Sequence, residues 1–240
     1  MLYYWNGTHL IGCAFLDLQF FSTRIVSLRN YLLVGDAYRC IYLLLWEPQT
    51  RQLLMMSRDA SKQNVTSAEF LINKSSIAFF TSDGDRNLKI LNYDPKNPKN
   101  RGGKSLEQIA HFRSGHFITK SVMLKAKKSE KKFFVLSGSV DGSFVVTVPL
   151  EEKIFRRLKS LGTIMTYYLE HNGGTNPRMF RKSVHDGHSN YQNFFIDGDL
   201  VDKYRHLDMY RQIELARKVK SSRKEILEKL RFIGELTRFS

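Results

Sequence analysis

The stretch GSVDGSFVVTVPLEEKIFRRL, Gly138 to Leu158, changes character halfway without a linker. Its first half alternates and turns as a β-hairpin with Asp141-Gly142 at the tip. Its second half, directly after Pro149, is charged and carries apolar residues at helical spacing. A strand therefore runs straight into a helix, and the pattern on either side of that junction decides the fold.

Upstream, two more hairpins share the grammar of FFVLSGSVDGSFVVTVPL (133–150). They are YLLVGDAYRCIYLLLWE (31–47) and SIAFFTSDGDRNLKILNYD (76–94). A strand-like segment precedes each: TRIVSLRN, TSAEFLIN and ITKSVMLK. A fourth strand, QLLMMSRD or SLEQIAHF, follows the first two hairpins. The third has none, because helix begins where that strand would lie. Four short strands per unit, with hairpins starting at 31, 76 and 133, match the period of propeller blades. Apolar runs such as Ile41 to Trp46 lack simple alternation, as expected where sheets are covered on both faces. Residues 1–150 are thus expected to form about three blades of an incomplete β-propeller, after an unpaired strand at Leu10 to Asp17. A sandwich of irregular meanders is the alternative. An open arc leaves sheet faces bare, which suggests a piece of a longer chain.

Residues 151–240 read as a C-terminal helical domain. Ile154, Phe155, Leu158, Leu161, Ile164, Met165, Tyr168 and Leu169 form one stripe, expected to stop at Gly173-Gly174. FIDGDLVDKYRHLDMYRQIELARKV resumes helical spacing. Ser222 and Glu225 form a capping box for a last helix with Ile226, Leu230, Ile233 and Leu236. The fold class is mainly β with α, and the stripes imply a packed helical bundle rather than a binding groove.

The chain has 240 residues and a formal charge of +15, a field that favours nucleic acid or an acidic protein partner. No apolar run is long enough to cross a bilayer, and no membrane association is expected. The start lacks the basic region of a signal peptide, so the sequons at Asn6, Asn64 and Asn73 read as chance matches. Cys13 and Cys40 sit in apolar strands and read as reduced core thiols of an intracellular protein.

Residues that could carry chemistry are scattered. Asp83 and Asp85 flank a turn, where Asp is favoured for local hydrogen bonds. His185 with His188, and His111 with His116, lack companions at zinc spacing. No nucleophile elbow, metalloprotease helix or phosphate loop occurs, and RGGK (101–104) is too short to carry meaning. The expectation is no enzyme, no cofactor and no small-molecule substrate. Between Lys96 and Lys132 stand 11 basic and 2 acidic residues. Lys125, Lys127, Lys128, Lys131 and Lys132 cluster there and form a solvated loop or a set of phosphate contacts to RNA.

The ordered segments SLRNYLLVGD, SRD, SAEFLIN, DRNLKILNYDP, GGKSLEQIAHF, SGSVDGSFVVTVPLEEKIFRRL, NPRMFR and FIDGDLVDKY resemble the C-terminal region of a known family. It is that of the large, propeller-built subunits of cleavage and polyadenylation specificity factor. The resemblance covers nearly the whole chain; Thr175, where that family usually has Leu, and the Lys-rich loop depart from it. It implies the last blades of a propeller and a helical domain in a non-catalytic scaffold of the nucleus, acting in mRNA 3′-end processing. Implied partners are other subunits of that complex, among them WD-repeat and zinc-finger proteins, and pre-mRNA. FIDGDL and the final ELTRF also resemble the damaged-DNA-binding adaptor of ubiquitin ligases, a related protein, as is a splicing-factor scaffold. Within NPRMFR, Asn176, Pro177, Arg178, Phe180 and Arg181 are expected to be structural: Pro177 bounding a helix, Phe180 packing, Arg178 and Arg181 pairing with carboxylates or carbonyls.

Overall fold

The computed structural model describes residues 1–17, 21–59, 61, 63–73, 76–126, 132–169, 171–185, 188–190 and 194–237, with backbone alone at 73, 99, 172, 180, 183–185 and 188–190. The strands are β1 Leu2–Trp5, β2 Leu10–Ala14, β3 Ser22–Leu28, β4 Tyr31–Asp36, β5 Ile41–Glu47 and β6 Gln52–Arg58. They continue with β7 Val65–Asn73, β8 Ser76–Asp83, β9 Asn87–Asn92, β10 Glu107–Arg113, β11 Ile118–Lys125, β12 Phe133–Ser139 and β13 Phe144–Thr147. Helix α1 is Glu152–Tyr168 and α2 is Pro177–Phe180; β14 Ser183–His185 and β15 His188–Asn190 form a small hairpin. Then come α3 Gly198–Asp202, α4 Met209–Lys218 and α5 Arg223–Leu236. No helix among the described residues is long and apolar enough to span a membrane.

The sheets are antiparallel meanders in the orders β3-β4-β5-β6, β7-β8-β9-β10 and β11-β12-β13, and none is closed. Each of the three expected hairpins falls where the sequence put it. The strand at Leu10 is not unpaired: β2 pairs with β1, from Trp5 opposite Leu10 to Leu2 opposite Ala14. β1 is short and apolar on both faces, which hid it as half of a hairpin.

The three sheets repeat one another in detail. In each, the first strand slips register once near its start: between Ser22 and Arg24, Val65 and Ser67, and Ile118 and Lys120. The residue in the slip is a threonine every time. The hydroxyls of Thr23, Thr66 and Thr119 donate to the carbonyls of Gly35, Ser82 and Gly138 at 3.2, 3.2 and 3.3 Å. A bulge leaves a backbone carbonyl short of its ladder partner, and a hydroxyl on a β-branched residue satisfies it without leaving the strand. An aspartate opens the following turn in the first two sheets, where the third has Ser139. Asp36 accepts from the Tyr38 and Arg39 amides, and Asp83 accepts from the Asn87 amide and side chain.

The sheets stack face to face. Alternate residues of the middle sheet enter two different cores. Phe70 and Phe79 meet Leu33, Ile41 and Leu43 on one side, whereas Leu71 and Phe80 join Ile118 and Val135 on the other. This double burial is why the strands read as continuous apolar runs. Gly35 allows the first interface to close, since a Cβ there would lie 2.7 Å from Val65 Cγ1. Arg24 of β3 reaches across to the Ser121 carbonyl at 3.2 Å, beside the buried Glu69 of β7.

The helical region has its own core of Leu158, Leu161, Met165, Val201, Tyr204, Leu215, Ile226 and Leu230. α1 stops at Tyr168, with Leu169 extended, and the glycine pair lies in a separate 3₁₀ turn with Gly173 and Gly174 at positive φ. The segment expected as one restart is broken into α3, a 3₁₀ turn at Lys203–His206, and α4. Caps decide the breaks: Asp197 accepts from the Leu200 amide and Asp208 from the Arg211 amide. Gln212 then locks the turn, its side chain donating to the Tyr204 carbonyl at 3.0 Å while the Tyr204 hydroxyl donates to the Gln212 carbonyl at 2.7 Å. Ser222 caps α5 through the Glu225 amide, but the Glu225 carboxylate turns to Lys229, Ser221 and Arg157 rather than closing the box.

Two outcomes test this packing. Gly35→Ala should cost about 1–3 kcal/mol by overpacking, read as a lower urea midpoint. Val65→Ala in the same chain should recover part of that loss. Burial raises the Glu69 pKa above its ordinary 4.5, so the folded chain keeps a proton that the unfolded chain releases. Stability contributed at this site is then lost as pH rises from about 4.5 toward the folded value. Glu69→Gln should lack that loss, so its stability relative to the parent should grow with pH across that window.

Candidate assembly surfaces

The motif NPRMFR begins with a cap. Asn176 accepts from the Arg178 amide at 2.9 Å and the buried Pro177 occupies the first turn of α2, where its missing N–H costs nothing. The Arg178 guanidinium lies over the Tyr167 ring at 5.6 Å and donates to its hydroxyl at 3.2 Å, so its partner is a phenol rather than a carboxylate or carbonyl. The Phe180 side chain lies outside the described residues.

Arg181 is the centre of the junction between strands and helices. Its Nε donates to Asp197 Oδ2 at 3.0 Å, its Nη1 donates to the Ser114 carbonyl, and its guanidinium covers Phe112 at 5.1 Å. The side chains of Arg181 and Asp197 are only 18% and 10% exposed. Asp197 belongs to FIDGDL and also caps α3. Two separate sequence motifs thus meet as one partly buried ion pair, which fixes the helical region against the end of β10. Around it, Phe112, Val145, Phe155, Phe195 and Ile196 line a groove of about 460 Å³ along β13.

The lysines of the basic loop divide. Lys125 is exposed at the end of β11. Lys132 is half-buried, with its ammonium 3.7 Å from Glu151 and 4.7 Å from the Phe232 ring centroid. It ties the strands to α1 and α5 and is committed to packing. Lys127, Lys128 and Lys131 lie outside the described residues.

The other polar candidates are local. Asp83 is buried and its pKa is raised by that burial, with Asn87 as its partner. His116 Nδ1 lies 2.9 Å from both Asp141 and Ser143. Serine and aspartate share the same ring nitrogen, so no relay through the two ends of the imidazole exists. Seryl bonds and His116 hold the Asp141 carboxyl well below the usual range. His185 and His188 bear side chains outside the described residues. Among the described residues no group of three or more metal-ligating side chains forms, and both cysteines are free thiols.

Removing the guanidinium at the junction should leave the partly buried Asp197 with the Leu200 amide but without its ion-pair partner. Arg181→Ala is expected to cost about 3–5 kcal/mol, and Arg181→Lys should not restore it, because one ammonium cannot serve Asp197 and Ser114 in fork geometry. Urea unfolding and faster proteolysis between β13 and α1 would report the loss.

The family model described as the CPSF A subunit region matches residues 1–206. Cleavage and polyadenylation specificity factor subunit 1 of Drosophila melanogaster is 30% identical over 218 residues, covering 85% of this chain and 15% of that protein. A probable subunit 1 of Oryza sativa is 34% identical, with coverage of 85% and 15%. Protein cft1 of Schizosaccharomyces pombe is 26% identical, with coverage of 83% and 15%. The chain spans about 15% of the length of these relatives. It belongs to the CPSF A subunit family.

Proposed function

We propose that this chain is a non-catalytic scaffold segment of a nuclear mRNA 3′-end cleavage and polyadenylation complex. Residues 1–150 are propeller blades and residues 151–240 a helical domain that closes over the last of them. The single observation that carries the scaffold reading is the threefold recurrence of sheet order, bulge threonine and stacked packing in a member of this family. Stacked sheets of this kind present broad, rigid flanks, which suit assembly better than turnover. The names of the relatives supply the process.

The partners under this reading are other subunits of the complex, including WD-repeat and zinc-finger proteins, with pre-mRNA close to the basic loop. The charge of +15 supports a place beside phosphates or acidic surfaces. Affinity purification of the tagged chain from nuclear extract should recover polyadenylation subunits. Recovery of ubiquitin-ligase components in their place would sink the proposal.

A further inference from the structure

RGGK, unexplained by its sequence, builds one wall of a cleft. The cleft measures about 1120 Å³ and lies between the β4–β5 turn, the end of β6 and the loop before β10. Its loop wall is held rigidly. Arg101, Gly102 and Gly103 take successive positive φ values of 49, 66 and 85°. The Arg58 amide donates to the Lys104 carbonyl at 3.2 Å, and the Leu106 amide to the Arg58 carbonyl at 2.8 Å. The Asn100 side chain donates to the Asp94 carbonyl at 2.9 Å. Arg58, Arg101 and Lys104 are exposed on the rim, as is Tyr38 at 76%.

The floor differs in kind from the rim. It is the buried Cys40 and Tyr42, flanked by Met55, which is 49% exposed, and by Met56, which also packs against the core of Leu33, Ile41 and Leu43. Burial pushes the Tyr42 phenol up to about 12 and raises the Cys40 thiol, so both stay neutral. Asp59 is the acid of the lining, and its oxygens are taken by Ser61 (3.1 Å to the amide) and Gln63 (2.9 Å). An anion entering the rim meets cations, and whatever reaches the floor meets methionine and aromatic surface. A phosphate on that floor would trade its water for little more than the Tyr42 and Ser57 hydroxyls, whereas methionines adapt to apolar side chains.

We propose that this cleft binds an acidic peptide segment of a partner protein, with carboxylates on Arg58, Arg101 and Lys104 and an apolar side chain on Met55 and Met56. The proposal deepens the scaffold reading by giving it a docking site, and it can fail separately, because its test needs only the purified chain.

The probe is a short fluorescein-labelled peptide alternating Glu or Asp with Leu and Phe, followed by anisotropy. Arg101→Ala/Lys104→Ala should weaken binding roughly tenfold. Lys153→Ala/Lys224→Ala removes equal charge from exposed helical positions and should change binding by no more than about twofold. Tyr38→Ala and Met55→Glu, at side chains 76% and 49% exposed, should weaken it while circular dichroism stays unchanged. Equal losses from both double variants would mean diffuse charge attraction and overturn the proposal. So would equal affinity for a peptide of Glu and Ser alone. A single-stranded oligouridylate that binds more tightly and is lost in the same variants would reassign the cleft to RNA. Failure of the peptide to bind leaves co-purification free to support the scaffold reading, and the reverse also holds.

Discussion

The structure depends on burying both faces of the β7–β10 sheet. A sheet covered on one side can alternate apolar and polar residues, but this one sends Phe70 and Phe79 to one core and Leu71 and Phe80 to another. That requirement sets the apolar runs, the close approach at Gly35, and the place of β7 between β3 and β11. The polar groups caught between sheets must then find partners across them. Thr23 shows how: its hydroxyl serves Gly35 in its own meander and the Val65 carbonyl of the next at 2.8 Å.

Helices enter where the strand pattern stops. The third meander has three strands, and Pro149 turns the chain away from the sheet before a fourth can form. The last sheet is still covered, since Leu236 of α5 packs with Ala126 and Phe134. Arg181 and Lys132 supply the polar ties of this junction from opposite sides. Their positive charges are used inside the fold, so part of the +15 is structural. The exposed share is concentrated elsewhere, including the rim formed by Arg58, Arg101 and Lys104.

Much of this was legible beforehand because it is local. The hairpins at 31–47, 76–94 and 133–150 announce themselves through apolar runs broken by Asp and Gly, and α1 through its stripe. The errors share a cause as well. β1 was missed as a partner because pairing depends on what lies opposite. The restart after Phe195 has helical spacing throughout, which does not show where it breaks, while Asp197 and Asp208 cap separate pieces of it. Thr23, Thr66 and Thr119 stood in plain sight, yet their equivalence needs the register slip to give it meaning.

The sequence by itself determined the elements, their repeat and the family, since propensity, periodicity and ordered motifs are carried by neighbours along the chain. Tertiary structure alone decided which residues meet. Arg181 finds Asp197 sixteen positions away, and RGGK becomes the wall of a cleft beside Met55 and Tyr42. Such juxtapositions follow from how twisted sheets stack and how a helical bundle docks on their end, and no spacing within one strand or helix encodes them.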